Sequence, residues 1–436
     1  MTPATPAAAV ARLRATFNTG RTKPLSWRLG QLEALRRLLT ERSEELQAAL
    51  LADLGKNPAE AYRAEIGFIL NEIDHTVAHL EEWLRPRPAA VPDAFLPAGA
   101  QVVRDPLGVV LIIGPWNYPV HLVLVPLVGA LASGNTVLIK PSELAPATSA
   151  ALAELVPRYL DNDAVAVVEG AIPETTALLE QRFDHIFYTG SGNVGRIVMT
   201  AAAKHLTPVT LELGGKSPVV VEPGADLAVT AQRIASGKFL NAGQTCVAPD
   251  YVLAIGDTAS ELEPHLAAAV QDLFGEDPAG NPGYGKIINE RNFDRLAPFL
   301  GDGRVVLGGG HDRAARHIDP TVLADVSPDA PVMSEEIFGP VLPIVSVPDL
   351  DAAIAFINDR DKPLALYAFT ESEETKRRLT GETSSGALTF GLPVVHLAMP
   401  ELPFGGVGAS GMGRYHGEYS IDTFSHAKAV LDKPLN

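Results

Sequence analysis

Three side chains stand where chemistry is conceivable, and the first is a thiol. Cys246 is the only cysteine in 436 residues. It sits in "NAGQTCVAPD", after Gly243, Gln244 and Thr245. A lone cysteine forms neither an internal disulfide nor a multi-cysteine zinc site, so packing and reactivity are the two readings left. The second group is Glu212 in "TLELGGKSP", a carboxylate at the end of an apolar run. A charge there either faces solvent at a sheet edge or is buried and used as a general base. The third is Asn117 in "IIGPWNYP". Asparagine is a common turn residue, but an amide held in a stiff turn between prolines and aromatics is also a candidate donor aimed into a crevice.

These groups need elements to carry them. Before residue 85 the chain reads as helical: Ile66, Ile69, Leu70, Ile73, Val77, Leu80 and Leu84 recur at helical spacing, and Pro86 and Pro88 end the pattern. From Gly108 to Glu212 short β-rich runs ("GVVLII", "TVLIK", "AVAVVEG", "HIFYTG", "PVTLEL") alternate with helix-forming stretches. That alternation predicts a parallel sheet covered on both faces, with ligands bound beyond the carboxyl ends of its strands. A second alternation, from "SPVVV" through "YVLAIG", "PVLPIVSV" and "LALYAFT", predicts another α/β unit. The tail "FSHAKAVLDKP" reads as one strand, to be paired with "AQVVRDP" near residue 100 or across a subunit boundary. "YTGSGNVGR" places Gly190, Gly192 and Gly195 between a strand and a helix, as a phosphate-binding turn requires. An acid about 20 residues on would hold a ribose in such a motif, so two roles compete for Glu212.

Composition narrows the classes. With 46% hydrophobic and 20% charged residues the chain is an ordinary globular one with a large core. A formal charge of -17 argues against nucleic acid or an anionic membrane as partner. The uncharged stretch from Pro106 to Ile139 is broken by Gly114-Pro115, Pro119, Pro126 and Ser133-Gly134-Asn135, so it is expected to fold as buried strand, helix and strand. "MTPATPAAAVARLRATF" lacks the apolar core of a secretory signal; its arginines faintly suggest a transit peptide, and a first amphipathic helix is the expectation. No apolar tail precedes Asn436. A single cysteine fits a reducing, cytoplasmic location.

Taken together, "LELGGKSP", "NAGQTCVAPDYV", "IIGPWNYP", "VLIKPSE", "EEIFGPVLP" and "LPFGGVGASGMGRYHG" resemble the NAD(P)-dependent aldehyde dehydrogenases. "DLGKNPAEAY" and "RYHGEYSIDTFSH" resemble their class 3 branch. The resemblance runs from about residue 9 to about residue 432. It implies an α/β fold with two parallel-sheet domains and a small bridging or oligomerisation element. Residues 1–84 and 104–213 would bind the cofactor, 214–423 would form the catalytic domain, and 85–103 with 424–436 the bridge. It implies Cys246 as nucleophile, Glu212 as general base, and Asn117 as oxyanion donor beside the Cys246 amide. Lys140 and Glu143 match residues on the adenosine ribose, Gly190, Ser191 and Gly195 the phosphate turn, and Glu336 and Phe338 contacts to the nicotinamide half. Gly192 is not a required member of this turn, and with Glu143 on the ribose, Glu212 is free to act as base. The cofactor is expected to be NAD, with NADP accepted and no metal required; the assembly is expected to be a homodimer.

Rival readings are a CoA-acylating dehydrogenase, a thiol esterase, and an inactive dehydrogenase fold kept as a structural or NAD-binding protein. The intact Cys246, Glu212 and Asn117 speak against the last, and a glutamate in the "LELGG" setting favours water over CoA. In "ALTFGLP" Phe390 and Gly391 replace polar residues usual in the family, which bears on the substrate side. Trp116, Tyr118 and the apolar stretch "TFGLPVVHLAMPELPFGG", which the resemblance puts at the entrance, predict an apolar aliphatic or aromatic aldehyde as substrate.

Overall fold

The computed structural model describes residues 5–435. Met1–Ala4 and Asn436, assigned above to the cofactor-binding unit and the bridge, lie outside the described residues. The helical start is observed as helices Pro6–Asn18, Leu25–Glu41, Ser43–Leu54 and Gly67–Trp83. Ile66, Ile69, Ile73 and Leu80 are buried, whereas Val77, on the same apolar pattern, faces solvent. A π-helical turn, Tyr62–Ile66, precedes the last of these helices.

The first alternation forms a sheet in the order Val209–Leu213, His185–Gly190, Val109–Ile113, Thr136–Lys140, Val165–Val167. These five strands are parallel. The two-residue strand Gly411–Met412 closes the Val209–Leu213 edge in antiparallel sense. The chain thus enters the sheet at its centre, builds one side, then crosses to the other. The carboxyl ends of Val109–Ile113 and His185–Gly190 flank the resulting crevice, the expected ligand position. Val109–Ile113 and Thr136–Lys140 are buried at every residue, as their unbroken apolar runs predict. Between them lies the fully buried helix His121–Ala132, so the uncharged stretch is strand, helix, strand. Among the described residues no helix is long and apolar enough to cross a membrane.

The second alternation forms a sheet in the order Arg304–Leu307, Thr321–Ala324, Val341–Val347, Tyr251–Ile255, Pro218–Val221, Ala365–Phe369, Ala387–Phe390. It is parallel apart from the Arg304–Leu307 edge. That edge strand and its neighbour are four residues each, too short for alternation to announce them in the sequence. A third, antiparallel sheet joins Arg87–Ala89, Gly99–Pro106 and Ser425–Asp432. The tail strand therefore pairs within the chain, from Ser425 opposite Pro106 to Asp432 opposite Gly99. Arg104 secures the helix Gly417–Thr423 that leads into it, by ion pairs to Glu418 at 2.8 Å and Asp422 at 2.6 Å. At the start of that helix, the amide of Gly417 donates to buried Glu72 at 2.7 Å.

Candidate active site

Cys246 is carried on a loop between the helix Leu227–Phe239 and the strand Tyr251–Ile255. Three consecutive residues ahead of it are left-handed: Asn241 (φ 52°), Ala242 (φ 52°) and Gly243 (φ 75°). Asparagine and glycine tolerate this region; alanine does so only under strain, a condition typical of functional loops. A Cβ on Gly243 would strike the carbonyl of Gly339. Gln244 is wholly committed to the loop: its amide donates to the carbonyls of Asn241 (3.0 Å) and Lys286 (2.9 Å), and its Oε1 accepts from Ile288 N at 3.0 Å. On either side of the thiol a tyrosine fixes the backbone. Tyr118 Oη and Thr245 Oγ1 lie 2.8 Å apart, and Tyr367 Oη donates to the Val247 carbonyl at 2.6 Å. Burial raises the thiol's pKa, with Glu336 and Glu212 adding to it; the Cys246 and Val247 amides, aimed at the sulfur, oppose it.

Glu212 lies on the strand Val209–Leu213, between Thr189 on one neighbour and Gly411 on the other. The sheet edge is covered by Gly411–Met412, so the carboxylate is 2% exposed and not solvent-facing. Neither of its oxygens has a hydrogen-bond partner. Burial alone raises its pKa well above the usual carboxylate range. An orphaned buried carboxylate is costly as structure, which favours use over packing.

Asn117 follows the strand Val109–Ile113, 2% exposed, at the mouth of the crevice. Its Nδ2 donates to the Gln244 carbonyl at 3.0 Å, which leaves its second N–H free. Trp116 meets Phe338 edge to face, with centroids 5.3 Å apart.

Asn117, Glu212, Cys246, Gly190, Ser191, Glu336 and Phe338 line one cavity of about 330 Å³. Thr189, Asn292 and Arg295 line it too and were not anticipated. Two more buried polar atoms there are unpartnered, Glu336 Oε1 and Thr189 Oγ1, as a site awaiting a polar ligand requires. Burial pushes Glu336 up to about 8. Gly190 has no room for a Cβ beside Tyr188, and Ser191 caps the helix Gly192–Ala203. That twelve-residue helix aims its N-terminus at the cavity, a ready site for a phosphate. A Cβ on Gly195 would lie 2.9 Å from Leu213, so this glycine lets helix and strand approach. A Cβ on Gly192 would meet only Arg196, at 3.7 Å, consistent with its being dispensable. Lys140 and Glu143 are not among the cavity residues; they pair with each other at 2.9 Å beyond the end of Thr136–Lys140.

The stretch from Thr389 to Gly406 contributes nothing to the lining of this cavity. It meets the thiol segment through aromatic rings instead. From Tyr118 the contacts run to His121 (6.2 Å), Phe68 (4.1 Å), His416 (5.6 Å), Phe404 (5.4 Å), His396 (6.1 Å) and Tyr367 (6.3 Å). This belt begins at the tyrosine on Thr245 and ends at the tyrosine on Val247. Burial lowers His121 and His416 to about 3 and His396 to about 4, so the belt is uncharged at neutral pH. Phe390 ends the edge strand Ala387–Phe390, and Gly391 is left-handed (φ 71°) with its carbonyl held by Arg233 at 2.7 Å. Leu392, Val395, Met399 and Leu402 remain exposed.

The chain is similar to known proteins along nearly its whole length. The profile described as "Aldehyde dehydrogenase family" matches residues 1–430. Mouse aldehyde dehydrogenase family 3 member A2 is 53% identical over 98% of this chain and 88% of its own length. The rat protein named "Aldehyde dehydrogenase, dimeric NADP-preferring" is 50% identical over 98% of this chain and 94% of its own. Among solved structures, substrate-bound AldH of Staphylococcus aureus superposes with a TM-score of 0.96 at 44% identity, covering 98% of this chain and 93% of its own. An NAD+ complex of a Mycobacterium tuberculosis aldehyde dehydrogenase gives 0.88 at 30% identity, covering 99% and 91%.

Proposed function

The chain belongs to the aldehyde dehydrogenase family and oxidises aldehydes to carboxylic acids with NAD(P), and within that reaction we propose that Cys246 is the nucleophile, Glu212 the general base and Asn117 the oxyanion donor. The observation that carries this assignment is the meeting of the only thiol and an unpartnered buried carboxylate in one cavity. Cys246, its thiol proton passed to solvent, attacks the aldehyde carbon as the thiolate. The free N–H of Asn117 and the Cys246 amide receive the charge that develops on oxygen; one such donor is typically worth ~10²–10³ in rate. NAD(P), when bound, supplies the oxidation that leaves a thioester on Cys246. Glu212, in its ionised form, draws a proton from a water molecule as that water attacks the thioester. The Gly190–Ser191 turn would hold the cofactor's phosphates, Glu336 and Phe338 its nicotinamide half, and Lys140 and Glu143 its adenosine ribose. No group of three or more metal-ligating side chains occurs among the described residues.

The finer reading is an apolar aliphatic or aromatic aldehyde as preferred substrate. Trp116, Leu122, Leu213 and Phe338 in the lining of the cavity support it. A series of straight-chain aldehydes from about two to about ten carbons tests it: at ~0.8 kcal/mol per buried methylene, three methylenes should raise kcat/KM by tens-fold. A flat series, with charged aldehydes preferred, sinks the apolar site and leaves the reaction standing. NAD is the preferred cofactor in this reading, because the Glu143 carboxylate repels a 2′-phosphate. The rat relative's name states the opposite preference for that protein, so kcat/KM with each cofactor is the direct test. We assign 1–84 and 104–213 to cofactor binding, 214–423 to catalysis, and 85–103 with 424–436 to a homodimer contact in the cytoplasm. The exposed edge strand Ser425–Asp432 supports the dimer. Gradient fractionation and light scattering check location and mass.

A further inference from the structure

Lys56 is a buried cation that the chemistry above leaves unused. It lies 2.6 Å from Glu65, and both side chains are 0% exposed. A buried ion pair is weak evidence for stability, since apolar residues of similar volume often serve as well or better. Its remaining bonds all go to one place. Lys56 Nζ donates to the Asn117 carbonyl at 2.7 Å and sits 3.8 Å from the centre of the Tyr118 ring. Glu65 Oε2 accepts from the amides of Val120 at 2.9 Å and His121 at 3.0 Å. The pair thus holds the turn Asn117–His121 at both ends. Glu65 belongs to the π turn Tyr62–Ile66, a local irregularity frequent at functional sites.

We propose that Lys56 and Glu65 are positioning residues: the buried pair fixes the peptide that carries the Asn117 amide. The Asn117 carbonyl takes bonds from Lys56 Nζ and from Asn241 Nδ2 (2.9 Å), which sets its peptide plane. The Asn117 side chain spends one N–H on Gln244, which fixes its amide plane, and the backbone held by Lys56 sets where that amide sits. An apolar residue at 56 cannot donate, and the peptide gains freedom. Misplacement of a reacting group by ~1 Å costs up to ~10² in rate. The proposal rests on Asn117 acting as oxyanion donor.

The test uses the full-length enzyme and follows the first-turnover burst of NADH with saturating aldehyde, beside NADH affinity by fluorescence and thermal melting. Removing one member strands the other charge, so the pair is replaced together as Lys56→Met with Glu65→Leu. The expected result is a burst slowed about 10- to 100-fold with NADH affinity within about twofold of wild type. In an Asn117→Ala background the same replacement should slow the burst by less than a further twofold or so, because both act through one amide. A wild-type burst in the paired variant, or full slowing on top of Asn117→Ala, overturns the proposal. A wild-type burst in Asn117→Ala alone overturns the donor reading and the proposal with it, which separates the two failures. Should the paired variant not fold, Lys56→Arg keeps the charge but cannot place one nitrogen at both Glu65 and the carbonyl. It should slow the burst likewise, and a wild-type burst there also overturns the proposal.

Discussion

Glu212 and Cys246 share a condition: each is an acid whose pKa burial raises. The base form of Glu212 and the thiolate of Cys246 are the working forms. A raised pKa means both forms are scarce at low pH and gain population as pH rises. The rate should therefore climb as pH rises into the alkaline range. A kcat/KM profile that is flat or falls with pH refutes this. Cys246→Ala should lower oxidation by at least ~10³ while NADH affinity holds, since losing a nucleophile removes the whole relay. Glu212→Gln should keep the NADH burst and lower steady turnover by ~10²–10⁴, the usual range for a positioned base. A mass increase on Cys246 during turnover would mark the trapped thioester. Cys246 was legible in the sequence because a single thiol leaves few roles. Glu212 was ambiguous, because a strand-end acid looks the same whether or not a later strand covers the edge; Gly411–Met412 does so here. Lys56 and Glu65 were illegible: charges in a polar segment read as solvent-facing, and only the π turn and the Asn117 turn bury them.

Among the elements, the joint between the helix Gly67–Trp83 and the turn at Gly417 carries its own titration. Glu72 accepts from Gly417 N, and burial raises its carboxyl from an ordinary 4.5 to about 7. An acid raised in the folded state gives stability that is full below its unfolded pKa and lost as pH rises through the folded value. The displacement is worth at most ~3 kcal/mol. Glu72→Gln keeps the acceptor oxygen and cannot ionise. It is expected to raise the melting temperature by a few degrees near pH 8 and to match wild type near pH 5. Equal melting of both proteins at both pH values counts against the shift. Element identity was largely readable, since unbroken apolar runs and their alternation with helices dictate parallel strands. The aromatic belt was not, because it joins Phe68, Tyr118, Tyr367, His396 and His416 from separate elements, and no local spacing encodes that meeting.

For the whole molecule, the open question in the sequence was where the last strand goes. Two partners were conceivable, and the Gly99–Pro106 strand takes it inside the chain. Pairing so distant depends on the assembled fold and not on neighbouring residues. A chain ended at residue 424 leaves Gly99–Pro106 with an unpaired row of backbone groups. It is expected to aggregate or to change mass in light scattering; an unaltered, soluble particle of wild-type activity contradicts that. The strand of the catalytic base has the same dependence, with consequences for how the protein is made. Val209–Leu213 waits for Gly411–Met412 to cover its outer edge, and about 200 residues separate the two. At ~5–20 residues per second, a ribosome leaves that edge bare for ~10–40 s. During this interval the nascent chain presents an apolar, hydrogen-bond-hungry ribbon to whatever else is being translated nearby, so its yield in a cell depends on elongation speed and chaperone supply as much as on the stability of the finished enzyme.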